Sequence, residues 1–502
     1  MKNKDTTMKI GWGQADITPD KNAILAGQFH ARVSEGVMDP VTTTALAIET
    51  MDGRGSSGQA IMVSCDLATI PDELRDAVRK RVKSELSEIS PDSLFIGVTH
   101  AHSAPEVRLA PYTCDPTVKG SEYGIWPAIG FDAITLPKYL DFAVARIVDA
   151  IKDAWGQRDC AGIAYGLGHA TVGRNRRLSY KDGISKMYGN AGIPEFRHVE
   201  GYEDHSVYAM MTYDRNKKLT GMVVNIPCPA QVREHIYRIS ADYWHETRQE
   251  LRRRFGNDIH ILAQCAPAGD QSPHVLIGKR AEERMWRLKG WDTDQNAPCQ
   301  EIALKIANAL SDVIPYAEKE IDWNPAFEHK HAIIDLPRRM ISEKDVAEAL
   351  EESRPFKEEY QRRVAELAGS PEIRKQPRWY TEITKAYRRM ERGEQVKKRF
   401  ELQQNLPDMP MEAHVMRMGD VAFATNPFEL YLDYATRIRE LSKATQTFLI
   451  QKAGSHGTYL SSARSIAGGG YGSVPASTDI GPEGGDKLVD WTVAAINALF
   501  AR

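Results

Sequence analysis

The chain has no long apolar run. No stretch of its 502 residues approaches the roughly 18 consecutive apolar residues of a membrane-spanning helix. Residues 1–9 are mainly polar and charged, and they lack the apolar segment of a secretory signal. We therefore expect no membrane partner and a cytoplasmic location.

Cysteine is also scarce, and charge of neither sign is in large excess. Six cysteines, none in a Cys-x-x-Cys pair, do not form a disulfide framework in a chain of this length, and they favour a reducing compartment. The formal net charge of −3 gives no reason to expect a nucleic-acid partner. The glycine run at 468–470 is not followed by the Lys-Ser/Thr of a phosphate-binding loop, so it does not indicate a nucleotide site.

The remaining composition is that of a globular protein, with 42% hydrophobic and 26% charged residues. The length suits one large domain with insertions, or two to three domains. Short apolar runs typical of strands alternate with helical patterns, as at 71–88 and 138–155, where apolar residues recur on one face. This alternation predicts an α/β fold.

Residues 340–405 differ from the rest of the chain. They are highly charged, contain few glycines and carry apolar residues at helical spacing. We predict a helical insertion or cap on the main domain, with its charges on solvated faces. The predicted division is a first part of the core at 8–335, the helical insertion at 336–410 and a second part of the core at 411–502.

Two histidines, His100 and His102, follow a predicted buried strand at 95–98. In open α/β sheets, chemistry gathers where such strands end. One histidine could bind a metal and the other act as an acid/base or hydrogen-bonding group, because imidazole serves in both roles. The alternative is a pair of structural histidines near a surface turn.

Two further positions near predicted strand ends bear on a site. Gly27 permits a positive φ or a close backbone approach, so its loop could line a site. Asp66 could orient a ligand histidine by a hydrogen bond, or it could cap a turn or helix.

Other candidate residues also follow predicted strands. Cys228 lies between two prolines that stiffen its backbone, so it could present a thiolate ligand or nucleophile, or be a small buried hydrophobe. Ser272 lies in a turn that lacks the Gly-x-Ser-x-Gly pattern. Glu429 would lie in the first turn of a helix, as a favourable carboxylate there or as a metal ligand. Arg176 belongs to a polar run at 173–180 that suits anion or carbonyl recognition, although its composition favours a solvated surface.

Together these segments resemble the neutral ceramidase family of zinc-dependent amidases. The resemblance covers most of the chain outside residues 340–405, and it implies a mixed-sheet α/β catalytic domain, to which the helical segment is an addition. Its carriers, in chain order, are Ala15-Asp16-Ile17-Thr18, Thr99-His100-Ala101-His102-Ser103-Ala104-Pro105, Asn175-Arg176, Ile239-Ser240-Ala241-Asp242, Gly269-Asp270-Gln271-Ser272-Pro273, Pro427-Phe428-Glu429, and Tyr459 with Tyr471.

By that resemblance, a zinc ion would be bound by His100, Glu429 and Tyr459, and by a second histidine that precedes the Ile-Ser-x-Asp segment. The matching position in this chain holds Cys228, and zinc accepts a thiolate as readily as an imidazole. His235 is the alternative donor, from a different position in the loop. If neither binds, the metal site is lost.

The resemblance also implies catalytic roles. His102 would act as general acid/base, while Arg176 and Tyr471 would hydrogen-bond the developing oxyanion or the substrate. Ser272 would position the substrate or the water, and a nucleophilic role for it stays open.

The predicted function is a zinc-dependent hydrolase that cleaves an amide or related bond in a polar small molecule or glycan rather than a lipid. One alternative is a glycoside hydrolase that uses carboxylates such as those of Asp66, Glu106, Asp270 or Glu429 as acid and base. The other is a non-catalytic binding protein with an altered metal site. The sequence allows a homo-oligomer without requiring one.

Overall fold

The computed structural model describes residues 7–53, 55–109, 131–291 and 296–501. Within these ranges the chain forms a mixed α/β structure with ten α-helices and 22 strands, many of them very short. No helix in these ranges is both long enough and apolar enough to cross a bilayer.

The α-helices are α1 (Asp72–Glu85), α2 (Leu136–Gly156), α3 (Tyr243–Phe255), α4 (Lys279–Leu288), α5 (Asn296–Ala317), α6 (Glu343–Gly369), α7 (Thr381–Leu402), α8 (Leu432–Leu441), α9 (Ala463–Gly468) and α10 (Pro482–Leu499). The strands are β1 (Thr7–Asp16), β2 (Ile24–Leu25), β3 (Arg32–Val33), β4 (Thr42–Asp52), β5 (Gly55–Cys65), β6 (Leu94–Val98), β7 (Asp159–Cys160), β8 (Gly162–His169), β9 (Arg174–Asn175), β10 (Arg177–Tyr180), β11 (Ser185–Met187), β12 (Phe196–Val199), β13 (Ser206–Tyr213), β14 (Leu219–Ile226), β15 (His260–Cys265), β16 (Gln271–Ser272), β17 (Phe327–Pro337), β18 (Asp408–Met418), β19 (Val421–Thr425), β20 (Glu429–Leu430), β21 (Gln446–Ile450) and β22 (Tyr459–Leu460).

Three larger sheets share one plan. Their strand orders are β6-β5-β4-β1-β7, β15-β14-β13-β8 and β17-β18-β19-β21. In each, antiparallel neighbours are followed by a helix that returns the chain to an edge strand parallel to the last one, which gives the parallel pairs β5/β6, β14/β15 and β19/β21. Loops that leave the carboxyl ends of such paired strands emerge side by side, which is where α/β sheets place ligand sites.

The three sheets meet at one apolar cluster with members from strands of all three, including Phe95 and the stacked rings of Phe423 and Phe448, whose centroids are 4.5 Å apart. The side-chain amide of Asn225 in the second sheet donates to the carbonyl of Leu449 in the third, at 2.9 Å. Burial of this cluster therefore holds the three parallel pairs in one arrangement.

Helix α2 packs directly on strand β1, and glycine makes this close approach possible. A Cβ at Gly13 would lie 2.0 Å from the carbonyl oxygen of Ala150, and a Cβ at Gly11 would lie 2.0 Å from that of Ala154. The apolar periodicity at 138–155 predicted this helix, and the structure confirms it with slightly wider bounds.

In the chain, helices α6 and α7 are inserted between β17 and β18. These two strands pair antiparallel with each other along their whole length. Helix α6 begins with a capping box between Ser342 and Asp345, which satisfies backbone N–H groups at the helix start. Tyr380 and Ile383, at the start of α7, pack in a small cluster with Ile24. The division of the chain into three segments stays a prediction.

We expect Gly13→Ala to destabilise the protein, because the added methyl group meets backbone atoms of α2 that cannot move independently. Overpacking of this kind costs about 1–3 kcal/mol or more. Gly156→Ala is the matched control, since it lies at the end of the same helix, is exposed and has no atom within 4 Å of the added carbon. Urea denaturation monitored by circular dichroism would measure both, and equal stability of the two variants would contradict the packing described.

Candidate active site

A cavity of about 100 Å³ opens beside the carboxyl end of β6. Five of the eight site residues predicted from the sequence line it: His100, His102, Glu429, Tyr459 and Tyr471. They come from chain segments more than 300 residues apart. The fold thus brings together side chains that the sequence could only group by resemblance.

The two histidines reach the cavity because the chain turns sharply after β6. His100 has a φ of 58°, in the left-handed region, so the extended strand cannot continue through it. The N–H of Ala101 then donates to the carbonyl of Leu67 at 3.0 Å, and the N–H of His102 donates to that of Ala230 at 2.9 Å. These bonds tie this loop to the loops that follow β5 and β14.

Gly27 lies directly against His102. Its φ is 96°, and a Cβ at this position would lie 2.6 Å from the Cβ of His102. Both properties that the sequence suggested for this glycine, a positive φ and a close approach, are confirmed. The residues that follow it, Gln28 and Phe29, form part of the cavity wall.

Glu429 and Tyr459 are neighbours in a short parallel ladder. Glu429 lies in β20 and Tyr459 in β22, and the two residues are directly paired in the register. The prediction that Glu429 lies in the first turn of a helix is wrong, since α8 begins only at Leu432. Because β20 pairs with β22, the carboxylate of Glu429 lies beside the phenol of Tyr459, and both side chains line the cavity.

Each imidazole is held by an acceptor on its Nδ1 atom. His100 Nδ1 lies 2.5 Å from the carbonyl oxygen of Ala68, and His102 Nδ1 lies 3.2 Å from Glu234 Oε2. A carbonyl oxygen and an ionised carboxylate can only accept a hydrogen bond, so each ring carries a proton on Nδ1. Burial lowers the pKa of His102 to about 4, which keeps this ring neutral near pH 7.

The Nε2 atoms of the two rings face each other, and that of the neutral His102 ring carries no proton. His100 Nε2 lies 3.5 Å from His102 Nε2 and 3.8 Å from Glu429 Oε2. Burial alone would raise the pKa of Glu429, but His100, Lys452 and Arg176 outweigh it and hold this carboxyl ionised. Two imidazole nitrogens and a carboxylate oxygen, which are common metal-ligand types, thus converge on one point.

Glu234 organises a second layer of this site, and the sequence reasoning missed it. Besides His102, it lies 2.9 Å from Nε2 of His274 and accepts a hydrogen bond of 3.0 Å from the side-chain amide of Gln231. Burial opposes ionisation, but the two histidines hold the pKa of Glu234 well below its usual range. A carboxylate behind a histidine is typical of metal and acid/base sites, yet nothing in its sequence neighbourhood distinguishes Glu234 from a surface glutamate.

Asp66, by contrast, orients neither histidine. Its two carboxylate oxygens accept from Arg248 at 2.7 and 2.9 Å, and one of them also accepts from the N–H of Thr42. The predicted orienting role is therefore wrong for Asp66, and the Ala68 carbonyl and Glu234 fill it instead.

Arg176 is buried beside the cavity, and the interpretation of its polar run as a solvated surface is wrong. Its Nη1 donates to the Tyr188 hydroxyl at 2.7 Å, and its Nη2 donates to the Gly269 carbonyl at 2.9 Å. The same Nη2 lies 3.5 Å from Glu429 Oε2 and 3.4 Å from the Tyr459 hydroxyl. The guanidinium therefore links the loop after β15 to the carboxylate and phenol of the site.

Three other predicted residues are not among those that line the cavity. Cys228 is fully buried in the largest apolar cluster, its Sγ lies 3.5 Å from the Pro229 carbonyl, and burial raises the pKa of its thiol well above the ordinary value. Ser272 is also fully buried. His235 is largely exposed, with its Nε2 3.6 Å from Glu234. The geometry thus supports none of the three as a cavity ligand.

A second group of side chains could also hold a metal ion. The ligand atoms of His331, Glu412 and His414 lie within 4.8 Å of one another, on the neighbouring strands β17 and β18. Glu412 already accepts from Arg79 at 2.8 Å and lies 3.5 Å from Arg75. These guanidinium groups neutralise the carboxylate and would compete with a divalent cation.

Comparison with solved structures places this fold among the neutral ceramidases. The crystal structure of neutral ceramidase from Pseudomonas aeruginosa matches with a TM-score of 0.67 and 15% sequence identity, over 99% of this chain and 75% of that one. A structure of a ceramidase complexed with C2 matches with the same TM-score and identity, over 99% and 76%. No protein-family model and no curated protein matches the sequence. The likeness confirms the predicted class, a mixed α/β domain with the fold of a neutral ceramidase catalytic domain.

We expect Arg176→Met to lower stability by about 3 kcal/mol or more, because it removes the cation from a buried charge pair and leaves Glu429 and two oxygen acceptors unsatisfied. Arg197→Met is the matched control at an exposed position and should change stability by less than about 0.5 kcal/mol. Urea denaturation of the metal-free protein would measure both. A loss below about 1 kcal/mol for Arg176→Met would show that the guanidinium is not needed to stabilise this charge pair.

Proposed function

We propose that this protein is a metal-dependent hydrolase that cleaves an amide or related bond in a polar small molecule or glycan. The observation that carries the proposal is the convergence of two imidazole Nε2 atoms and the Glu429 carboxylate on one cavity, beside Tyr459. The similarity of the fold to that of neutral ceramidases supports a hydrolase, while the cavity itself supports the chemistry.

The donors fit a zinc ion in a catalytic arrangement. Ligands about 2.0–2.2 Å from one tetrahedral ion are roughly 3.3–3.6 Å apart, and His100 Nε2 and Glu429 Oε2 approach this separation at 3.8 Å. With Tyr459 they supply three protein donors of nitrogen and oxygen type. Catalytic zinc sites commonly have three protein ligands and one open position, so this assignment does not need Cys228.

A zinc ion bound there would polarise a substrate carbonyl and lower the pKa of a water molecule to about 7. His102 Nε2 faces the same point, and because Glu234 holds its Nδ1–H, this nitrogen can take a proton and later give it to the leaving amine. Arg176 and Tyr471 flank Tyr459, with Arg176 Nη2 3.4 Å from its hydroxyl and the Tyr471 ring 5.6 Å from its ring. They can donate hydrogen bonds to an oxygen that becomes negatively charged.

The cavity wall favours a polar substrate over a ceramide-like lipid. Six of the nineteen described residues that line it are charged, among them Arg108, Arg388, Glu391, Arg392 and Lys452. Burying an aliphatic chain against them would desolvate the charges without compensation.

No observation favours the glycosidase alternative. Of the four carboxylates considered for it, Glu429 alone lines the cavity. Asp66 and Glu106 are engaged with Arg248 and Arg108, and Asp270 accepts from the N–H of Leu432 at 3.1 Å. The binding-protein alternative depends on loss of the metal, which a metal assay decides.

We expect about one zinc ion per chain in protein purified without chelators, and its loss in His100→Ala, because that variant removes a donor. His414→Ala is the matched control, since it removes a histidine from the second group of potential ligands and leaves the cavity intact. Inductively coupled plasma mass spectrometry would measure metal content. Metal lost from His414→Ala but retained by His100→Ala would move the site to β17 and β18, and metal-free wild type under reducing conditions would favour the binding protein.

Cys228→Ser tests the ligand predicted from the sequence. Retention of metal is the expected result, because the thiol lies in the apolar cluster and not on the cavity wall. Loss of metal with unchanged folding would restore Cys228 to the ligand set.

We expect hydrolysis of N-acyl compounds in a screen that includes N-acylated amino acids and amino sugars, abolished by chelation and restored by zinc. His102→Ala should lower kcat by about 10²–10⁴-fold, the usual contribution of a general acid/base. His198→Ala, at an exposed position, is the control and should not change kcat. Activity on glycosides that survives exhaustive chelation would instead support the glycosidase.

A further inference from the structure

One face of helix α7 forms part of the cavity wall. The face consists of Tyr387, Arg388, Glu391, Arg392 and Gln395, which recur at the three- and four-residue spacing of a helix surface. The expectation that the charges of this insertion lie on solvated faces is therefore wrong for this face of α7. The expectation of solvated charges does hold for α6, where exposed ion pairs such as that of Arg354 with Glu358 predominate.

The cavity contains more positive than negative side chains. Arg108, Arg388, Arg392 and Lys452 line it, against the carboxylates of Glu391 and Glu429. With the charges directly behind the wall included, Arg176 beside Glu429, Glu106 behind Arg108 and Glu234 behind His102, the balance is five positive to four negative charges before any metal is bound. A divalent ion beside Glu429 would add two more positive charges to a partly buried space, so the site has an excess of positive charge that an anion would neutralise.

His456 is a further ring that lies near these cations. This ring also lines the cavity, and its Nδ1 lies 2.9 Å from the Thr69 hydroxyl. Burial first, then Lys452 and Arg108, hold its pKa well below the usual value.

Arg392 is the positively charged residue of the cavity that is positioned to bind a ligand. Its guanidinium lies 5.1 Å from the ring centre of Tyr471 and 5.5 Å from that of Phe29, and its Nη2 donates to the Ser477 hydroxyl at 3.0 Å. Among the described residues, no carboxylate forms an ion pair with it. A guanidinium held against two aromatic rings, with donors still available, is preorganised to bind an oxyanion through two hydrogen bonds.

We infer that the cavity binds an anionic group of the substrate, a carboxylate, sulfate or phosphate, through Arg392 with support from Arg388. The inference rests on the proposed function for the bond that is cleaved, and it adds the substrate class: an N-acyl compound that carries an oxyanion, such as an N-acyl amino acid or an acidic or sulfated amino sugar. The amide would lie at His100 and Glu429, and the oxyanion at α7, beside Tyr471.

Matched probes test the charge. We expect the zinc-loaded wild type to have a higher kcat/KM for N-acetylglycine than for N-acetylglycinamide, which differs by loss of the carboxylate. Arg392→Gln should lower kcat/KM for the anionic probe about tenfold or more and leave the neutral probe within about twofold. Arg392→Lys, which keeps the charge, should retain part of the preference. Lys398→Gln, which removes a positive charge at an exposed position of the same helix, is the matched control and should leave both values unchanged.

Binding without turnover separates this inference from the proposed function. Thermal denaturation of the metal-free His100→Ala variant in sulfate, phosphate or acetate should show an upward shift of Tm that Arg392→Gln in the same background removes, and the anion with the largest shift identifies the oxyanion. A shift that survives Arg392→Gln, or equal use of both glycine probes by the zinc-loaded enzyme, would overturn the inference. An Arg392-dependent shift in a protein that hydrolyses no amide would sustain the anion site and defeat the proposed reaction.

Discussion

The candidate site depends on the packing that holds three parallel strand pairs around one apolar cluster. The pairs β5/β6, β14/β15 and β19/β21 supply, in turn, the loops that carry His100 with His102, Glu234, and Glu429 with Tyr459. None of these loops contains a complete site. Because side chains in a close-packed core have little freedom, a shift of one sheet by a residue would carry one set of donors out of reach of the others.

Burial of so many charged groups in one place is unfavourable unless each has a partner. The structure meets this requirement by sharing partners between loops. Glu234 lies against both His102 and His274, and Glu429 lies against His100 and Arg176. The Nε2 atoms of the histidine pair lie 3.5 Å apart beside the Glu429 carboxylate, and this convergence of donor atoms is the physical argument for a cation in the cavity.

The sheets and the cavity wall indicate different properties of the protein: the sheets indicate its fold, and the wall bears on its substrate. The sheets give the similarity to the neutral ceramidases at 15% identity, which shows a fold and leaves the substrate undetermined. The wall contributed by α7 lies in the segment that the resemblance in sequence leaves out, although the structural match extends over 99% of the chain. A helical hairpin between two paired strands can vary without disturbing the sheet, so substrate recognition can change while the donors at the strand ends stay in place.

The sequence by itself determined the parts of the protein that local periodicity and strand ends encode. Apolar spacing located α1, α2 and the buried strand β6, and the histidines two residues apart indicated chemistry at its carboxyl end. Only the tertiary structure decided which residues face the cavity. It placed Cys228 in the apolar cluster, paired Glu429 with Tyr459 in a ladder, and brought Glu234 and Arg392 to the site. Those outcomes depend on contacts between segments distant in the chain, and neither composition nor periodicity carries that information.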